Sequence, residues 1–173
     1  MAITLFQIDK SGSDLFEKDY SVILVVNKKE IYGINIPQKL KDDVISNFKR
    51  GKLNIFGPTE KAKKNRFRIR FHTAVIIQLI NKAIKDLGYV DEVVIELCND
   101  IDGHFHEIKY MLFNHFIKLI PSFKLEDIVR TKFEKPSLID EAGKAFRNND
   151  KNNLKDYIQT NLKTEELINL IKK

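Results

Sequence analysis

The sequence predicts an α/β protein: a mixed β-sheet with an antiparallel N-terminal hairpin, covered by flanking helices. Three observations lead there. Short apolar runs of strand type open the chain at 3–8 and 20–36, the second divided by a turn at Asn27-Lys28-Lys29. From residue 38 onward, segments with helical spacing alternate with strand-like runs at 91–98 and 125–135. Hydrophobic residues make up 43% and charged residues 31% with little Gly or Pro, the profile of a chain that buries a core. At 173 residues one core is expected. It should span 1–147, with 148–173 as a C-terminal helical extension beyond the polar run RNNDKNN (147–153).

The elements follow in order. ITLFQI (3–8) reads as a strand stopping at Asp9, before the turn-forming Lys10, Ser11, Gly12 and Ser13. YSVILVV and the run up to Ile36 form the hairpin. Pro37 suits the first turn of a helix in which Leu40, Val44, Ile45 and Phe48 recur at helical spacing until Gly51. After Gly57-Pro58 a basic tract leads into 66–71, where Arg66, Arg68 and Arg70 alternate with Phe67, Ile69 and Phe71. That alternation predicts a strand with a basic face and an apolar face, unless the following helix begins earlier and dissolves both. From His72 the pattern is helical to Gly88, then EVVIELC (92–98) is the most apolar strand. A helix over 105–119 stops before Pro121, a strand covers 125–135, and Ser137 caps a helix reaching Phe146. Two short helices, 154–161 and 164–172, close the chain, the second opening with acids that suit a helix N-terminus.

Residues 1–14 carry no basic segment or small-residue cleavage site, and no apolar run approaches the roughly 18 residues of a membrane span. A single cysteine, Cys98, excludes an internal disulfide and fits a reducing compartment. A cytoplasmic protein without a membrane partner is expected.

The stretch IELCNDIDGHFHEI (95–108) concentrates metal-ligand residue types. As a calcium loop it fails, because aligning Asp100, Asp102 and Gly103 with an EF-hand puts Cys98 in the first ligand position and Lys109 in the last. As a zinc site from Cys98, His104 and His106 it lacks both a standard spacing and a second thiolate, so the two His read as exposed residues and Cys98 as a small buried one. The carboxylates are left. Glu96 stands inside an apolar strand, either as a solvated edge residue or as a cation ligand, and Asp100 and Asp102 follow the strand's carboxyl end, where open α/β sheets place ligands. Asp9 after the first strand and Asp140 in the helix after the last complete a set of hard oxygen donors of the kind that holds a pair of Mg²⁺ or Mn²⁺ ions.

Two short motifs carry a family resemblance. Phe6-Gln7-Ile8-Asp9-Lys10-Ser11-Gly12 resembles the strand-Asp-Glu-Ser-Gly opening of an uncharacterised family within the ribonuclease-H-like superfamily, and KPSLIDEA (135–142) is similar to that family's closing segment. The element order, three strands and then helix, strand, helix, strand, helix, is also that of the superfamily. The resemblance implies a ribonuclease-H-like fold and a metal-dependent nuclease with Mg or Mn as cofactor. Asp9, Glu96 and Asp140 would be the catalytic carboxylates and metal ligands, with Asp100 or Asp102 supporting them. Lys10 stands where the family has an acid, and Glu96 where it usually has Asp; a base beside the site is also what a scaffold that had lost its metals would carry.

The net charge of +6 allows an anionic partner. Lys61, Lys63, Lys64, Arg66, Arg68 and Arg70, with Phe67 and Phe71 interleaved, suit phosphate contacts with base stacking, or else form a solvated face over an ordinary apolar one. Two functions therefore stand: a metal-dependent nuclease acting on nucleic acid, and a non-catalytic nucleic-acid-binding or assembly protein on the same scaffold. His72 and His115 lie in apolar helical patterns and read as structural. No Gly-rich phosphate loop and no serine nucleophile with a recognisable His is present.

Overall fold

Three antiparallel strands form the middle of the sheet: β1 (Ile3–Gly12), β2 (Tyr20–Val26) and β3 (Glu30–Asn35). The computed structural model describes residues 3–12, 15–16, 20–99, 104–155 and 157–173. The β2–β3 turn is the expected hairpin. Asn27 and Lys28 both take positive φ, 50° and 58°, and the Lys29 N–H closes on the Val26 carbonyl at 2.9 Å; two consecutive left-handed residues match the strands' twist.

The chain continues with α1 (Gln38–Lys49), α2 (Glu60–Leu87), β4 (Glu92–Cys98), α3 (Phe105–Phe116) and, after a 3-10 turn at Leu125–Asp127, β5 (Ile128–Thr131). Then come α4 (Leu138–Asn148), α5 (Lys151–Leu154), β6 (Ile158–Gln159) and α6 (Thr164–Lys172). The sheet order is β5-β4-β1-β2-β3-β6, with β4 parallel to both β1 and β5, and β6 parallel to β3. The α/β class and the mixed sheet with its antiparallel opening are thus as expected.

Period-two alternation sorts each strand between two layers. Phe6 and Ile8 of β1, Val22 and Leu24 of β2, and Ile95 and Leu97 of β4 join Phe67, Phe71 and Val75 of α2, with Ile108, Leu112 and Phe116 of α3, in the larger core. On the opposite face Ile23, Val25 and Ile31 meet Ile139, Ala142, Ala145 and Phe146 of α4 in a smaller one. Gly33 makes that contact possible: a Cβ there would stand 2.4 Å from the Phe146 ring.

Several expectations are corrected. Residues 66–71 are helical, because α2 starts at Glu60, where the Thr59 side chain accepts the Ala62 N–H at 3.1 Å. Phe67 and Phe71 then fall one turn apart on the core side, both fully buried, and the two-faced ribbon does not exist. Strand β1 runs through Gly12, so Asp9 sits within the ladder, opposite Ile23, rather than at its end. The strand expected over 125–135 is confined to Ile128–Thr131, the helix expected over 105–119 ends at Phe116, and within 154–161 the chain forms β6 rather than a helix. The last segment is more than a helical appendage: β6 extends the sheet, and Leu167, Leu170 and Ile171 of α6 are buried in the larger core. Among the described residues, no helix is long and apolar enough to cross a membrane.

Candidate functional site

The register of β1 places the acids. Gln7, Asp9 and Ser11 alternate with Phe6, Ile8 and Lys10 and so point to the α4 side of the sheet, as does Ile23, the partner of Asp9. Glu96 pairs with Gln7 across the parallel β1–β4 ladder and shares that face. Helix α4 comes closest to β1 at Gly143, where a Cβ would lie 3.3 Å from the Ser11 Cβ. Asp140 is one turn earlier on the same side of that helix. Asp9, Glu96 and Asp140 therefore stand on one face, Asp9 and Glu96 within two neighbouring parallel strands. Helix α4 packs against β1, β2 and β3, whereas on the same face of the neighbouring strands Glu96 is half-buried and Val129 is 37% exposed. The acid face is a shelf beside α4, open toward β5.

Each acid has a partner within the protein. The Gln7 amide donates to Glu96 Oε2 at 2.8 Å, and the Lys10 backbone N–H donates to Asp9 Oδ1 at 2.8 Å. Asp140 is held by Lys144 Nζ at 2.9 Å, with Lys135 Nζ at 3.8 Å. The Lys144 hydrogen bond, joined by the charges of Lys144, Lys135 and Arg147 and opposed by partial burial, keeps the Asp140 carboxyl below the usual carboxylate range. Ser137 caps α4 as expected, accepting the Asp140 N–H at 3.4 Å.

Hard oxygen donors on one face suit a Mg²⁺ or Mn²⁺ ion in kind. In number they do not suffice: among the described residues, no three His, Cys, Asp or Glu come together in a group that could hold a metal ion. Asp100 and Asp102 lie outside the described residues. Cys98 is buried at 8% exposure, and His104 and His106 are exposed at the start of α3, as the sequence suggested.

The basic tract is divided by its helical geometry. Lys61, Lys64 and Arg66 are exposed, while Lys63 pairs with Glu60 at 2.7 Å. Arg66 and Arg70 converge on Glu107 of α3 at 3.5 and 3.6 Å, and Arg70 also donates to the Ile171 carbonyl at 3.2 Å. The Lys64 ammonium and Arg68 guanidinium lie over the Phe16 ring, 4.4 and 4.9 Å from its centroid. Arg66, Arg68 and Arg70 thus make internal contacts, and Phe67, stacked on Phe48 with centroids 4.4 Å apart, has no face to offer a base.

His72 and His115 are each hydrogen-bonded within the protein. The Tyr20 hydroxyl hydrogen-bonds His72 Nδ1, and burial, with the Lys10 charge, pushes the imidazole down to about 3. His115 bonds the Asn81 amide oxygen at 3.2 Å and is also lowered by burial. Gln7, Lys135 and Lys144 are site residues that sequence reasoning passed over. Only Lys144 had a readable signal, its i,i+4 spacing from Asp140 on an evident helix.

No family model, curated protein or solved structure matches the chain.

Proposed function

We propose that the protein is a ribonuclease-H-like domain that acts on nucleic acid at the β1–β4–α4 face, as a metal-dependent nuclease using Asp9, Glu96 and Asp140. One observation carries this reading: acids far apart in sequence, from the first strand, a central strand and the last long helix, share one open face, two of them within parallel strands. The element order supports the scaffold. A divalent ion there would supply an activated water and neutralise charge on the scissile phosphate. The described carboxylates alone do not complete its ligand set, so the reading requires Asp100 or Asp102 to contribute. Of the chain's own residues, Gln7 orients Glu96, and Lys144 fixes the Asp140 carboxylate toward the helix.

The test is cleavage of 5′-labelled single- and double-stranded DNA and RNA in Mg²⁺ or Mn²⁺. Cleavage lost in Asp9→Asn, Glu96→Gln and Asp140→Asn, with the thermal melt retained, is the expected result.

A second reading rests on a specific observation. Lys144 and Lys135 hold Asp140, so basic residues stand beside this acid where a metal ion would be needed. This favours a non-catalytic nucleic-acid-binding protein on the same scaffold. Salt-sensitive binding without cleavage in either metal, unchanged by Asp9→Asn, would select it over the nuclease.

A further inference from the structure

Strand β5 is an edge of the sheet, and its outer side is open. The Thr131 carbonyl accepts the Asn99 N–H at 3.0 Å, so Val129 and Thr131 turn their backbone groups toward β4. Alternation along the strand then turns those of Ile128 and Arg130 outward. The Ile128 N–H is used within the chain, closing the preceding 3-10 turn on the Leu125 carbonyl. The Ile128 carbonyl and both backbone groups of Arg130 have no hydrogen-bond partner among the described residues. Val129 is 37% exposed and Arg130 is also exposed, so this row is accessible. An uncovered row of backbone donors and acceptors is a template for another strand.

The edge carries opposite charge at its two ends. Glu126 and Asp127 lead into the strand, and Arg130 and Lys132 close it. Glu126 and Lys132 are exposed, and neither is ion-paired among the described residues. Two copies of such an edge complement each other in the antiparallel sense, in which each acidic end meets a basic one; a parallel mate would set acid against acid.

The same groups choose the register. A twofold axis at Arg130 sets two guanidinium side chains directly opposite, and one at Thr131 sets Arg130 opposite Lys132; both arrangements are unfavourable. An axis at Val129 brings Arg130 opposite Ile128 of the second copy. Each Arg130 N–H then meets an Ile128 carbonyl, and the Ile128 N–H that is already used is not needed. The two Val129 side chains lie next to each other across the axis, and each Glu126 comes alongside a Lys132.

We propose that the protein self-associates as a twofold dimer by antiparallel pairing of β5 with β5 of a second copy, centred on Val129. The contact is isologous, so it closes on itself and does not propagate. The two six-stranded sheets run on as one, with α4 and the acid face of both copies on the same side. Dimerisation is independent of any cleavage at that face. A four-residue edge is a small contact, so a weak, concentration-dependent dimer is expected.

Sedimentation equilibrium of the intact chain, from low to high micromolar concentration, tests this. A monomer–dimer equilibrium is expected. Val129→Lys sets two ammonium groups across the axis and should abolish the dimer while leaving the thermal melt in place. Glu126→Lys and Lys132→Glu should each weaken dimerisation by roughly tenfold, because each turns two symmetry-related attractions into repulsions. The double variant carrying both changes reverses every pair and should dimerise as the native chain does. In hydrogen exchange, the Arg130 amide should slow as concentration rises. The proposal is overturned if the chain stays monomeric throughout the range, or if a folded Val129→Lys dimerises as the native chain does. Failure of the double variant to recover, or a dimer in which Arg130 exchange is unchanged, overturns it equally.

Discussion

At the scale of single residues, Phe67 shows why an alternating pattern is ambiguous. In a strand its ring would share a face with Phe71 and lie opposite the arginines; in a helix the same two rings are i and i+4 and share a face equally well. The structure takes the helical solution and seals Phe67 between Phe48, Phe16 and Phe71. Phe67→Ala should therefore cost about 3–5 kcal/mol in urea unfolding, as large-to-small core substitutions do. An unchanged urea midpoint would show that the ring is not core. His72 makes a second residue-scale statement. Its imidazole is buried neutral in the fold, held at about 3, and reverts to an ordinary value near 6.5 when the chain unfolds. The unfolded state thus takes up the proton first, so stability is fully present above roughly pH 6.5 and is lost as pH falls toward 3, at up to about 1.4 kcal/mol per unit. Urea midpoints measured from pH 7 to pH 4 should fall more steeply for the native chain than for a folded His72→Gln variant, since other groups cancel in the comparison. Equal slopes would contradict the assignment.

At the scale of elements, legibility depended on whether a segment's two signals agreed. Helix α4 was readable because the Ser137 cap, the first-turn acids and the Ile139, Ala142, Ala145, Phe146 stripe all point the same way. The first turns of α2 carry two signals that disagree, the Arg/Phe alternation at 66–71 and the Thr59-Glu60 start, a serviceable N-cap and first-turn acid. Cooperative growth from that cap through a 28-residue helix with a buried face outweighs a six-residue alternation. If the cap anchors this start, Thr59→Ala should lower stability by about 1 kcal/mol. Its effect on hydrogen exchange should concentrate in the first turns of α2, before Arg66. Loss spread evenly along α2 would mean that packing alone holds those turns. Strand β6 lacked any legible signal. Two residues are too few for a period, and only the edge of β3 decides that Ile158 and Gln159 pair there.

At the scale of the whole molecule, the sheet keeps the two candidate surfaces apart: α2 with its basic start belongs to the layer of the larger core, and the acids face α4 in the other. The sequence could name Asp9, Glu96 and Asp140 but could not show the long β1 that sets their face, because a ladder's length depends on its partner strand. The same non-local logic governs the C-terminus. A polar run at 147–153 suggests a boundary, and a chain cut beyond it would be expected to leave the domain unharmed. The structure instead buries Leu167 and Ile171 fully and Leu170 nearly so, and uses the Ile171 carbonyl to receive Arg70. Restoring those three side chains to water removes about 1.5–3 kcal/mol apiece. That sum is comparable with the whole stability of a domain, about 5–15 kcal/mol. Deleting 157–173 should therefore abolish cooperative thermal unfolding or lower its midpoint by more than about 15 °C, given the several degrees that each kcal/mol moves a domain of this size. A truncated chain that melts cooperatively at the native midpoint would show that the last segment is an extension and that the core closes without it.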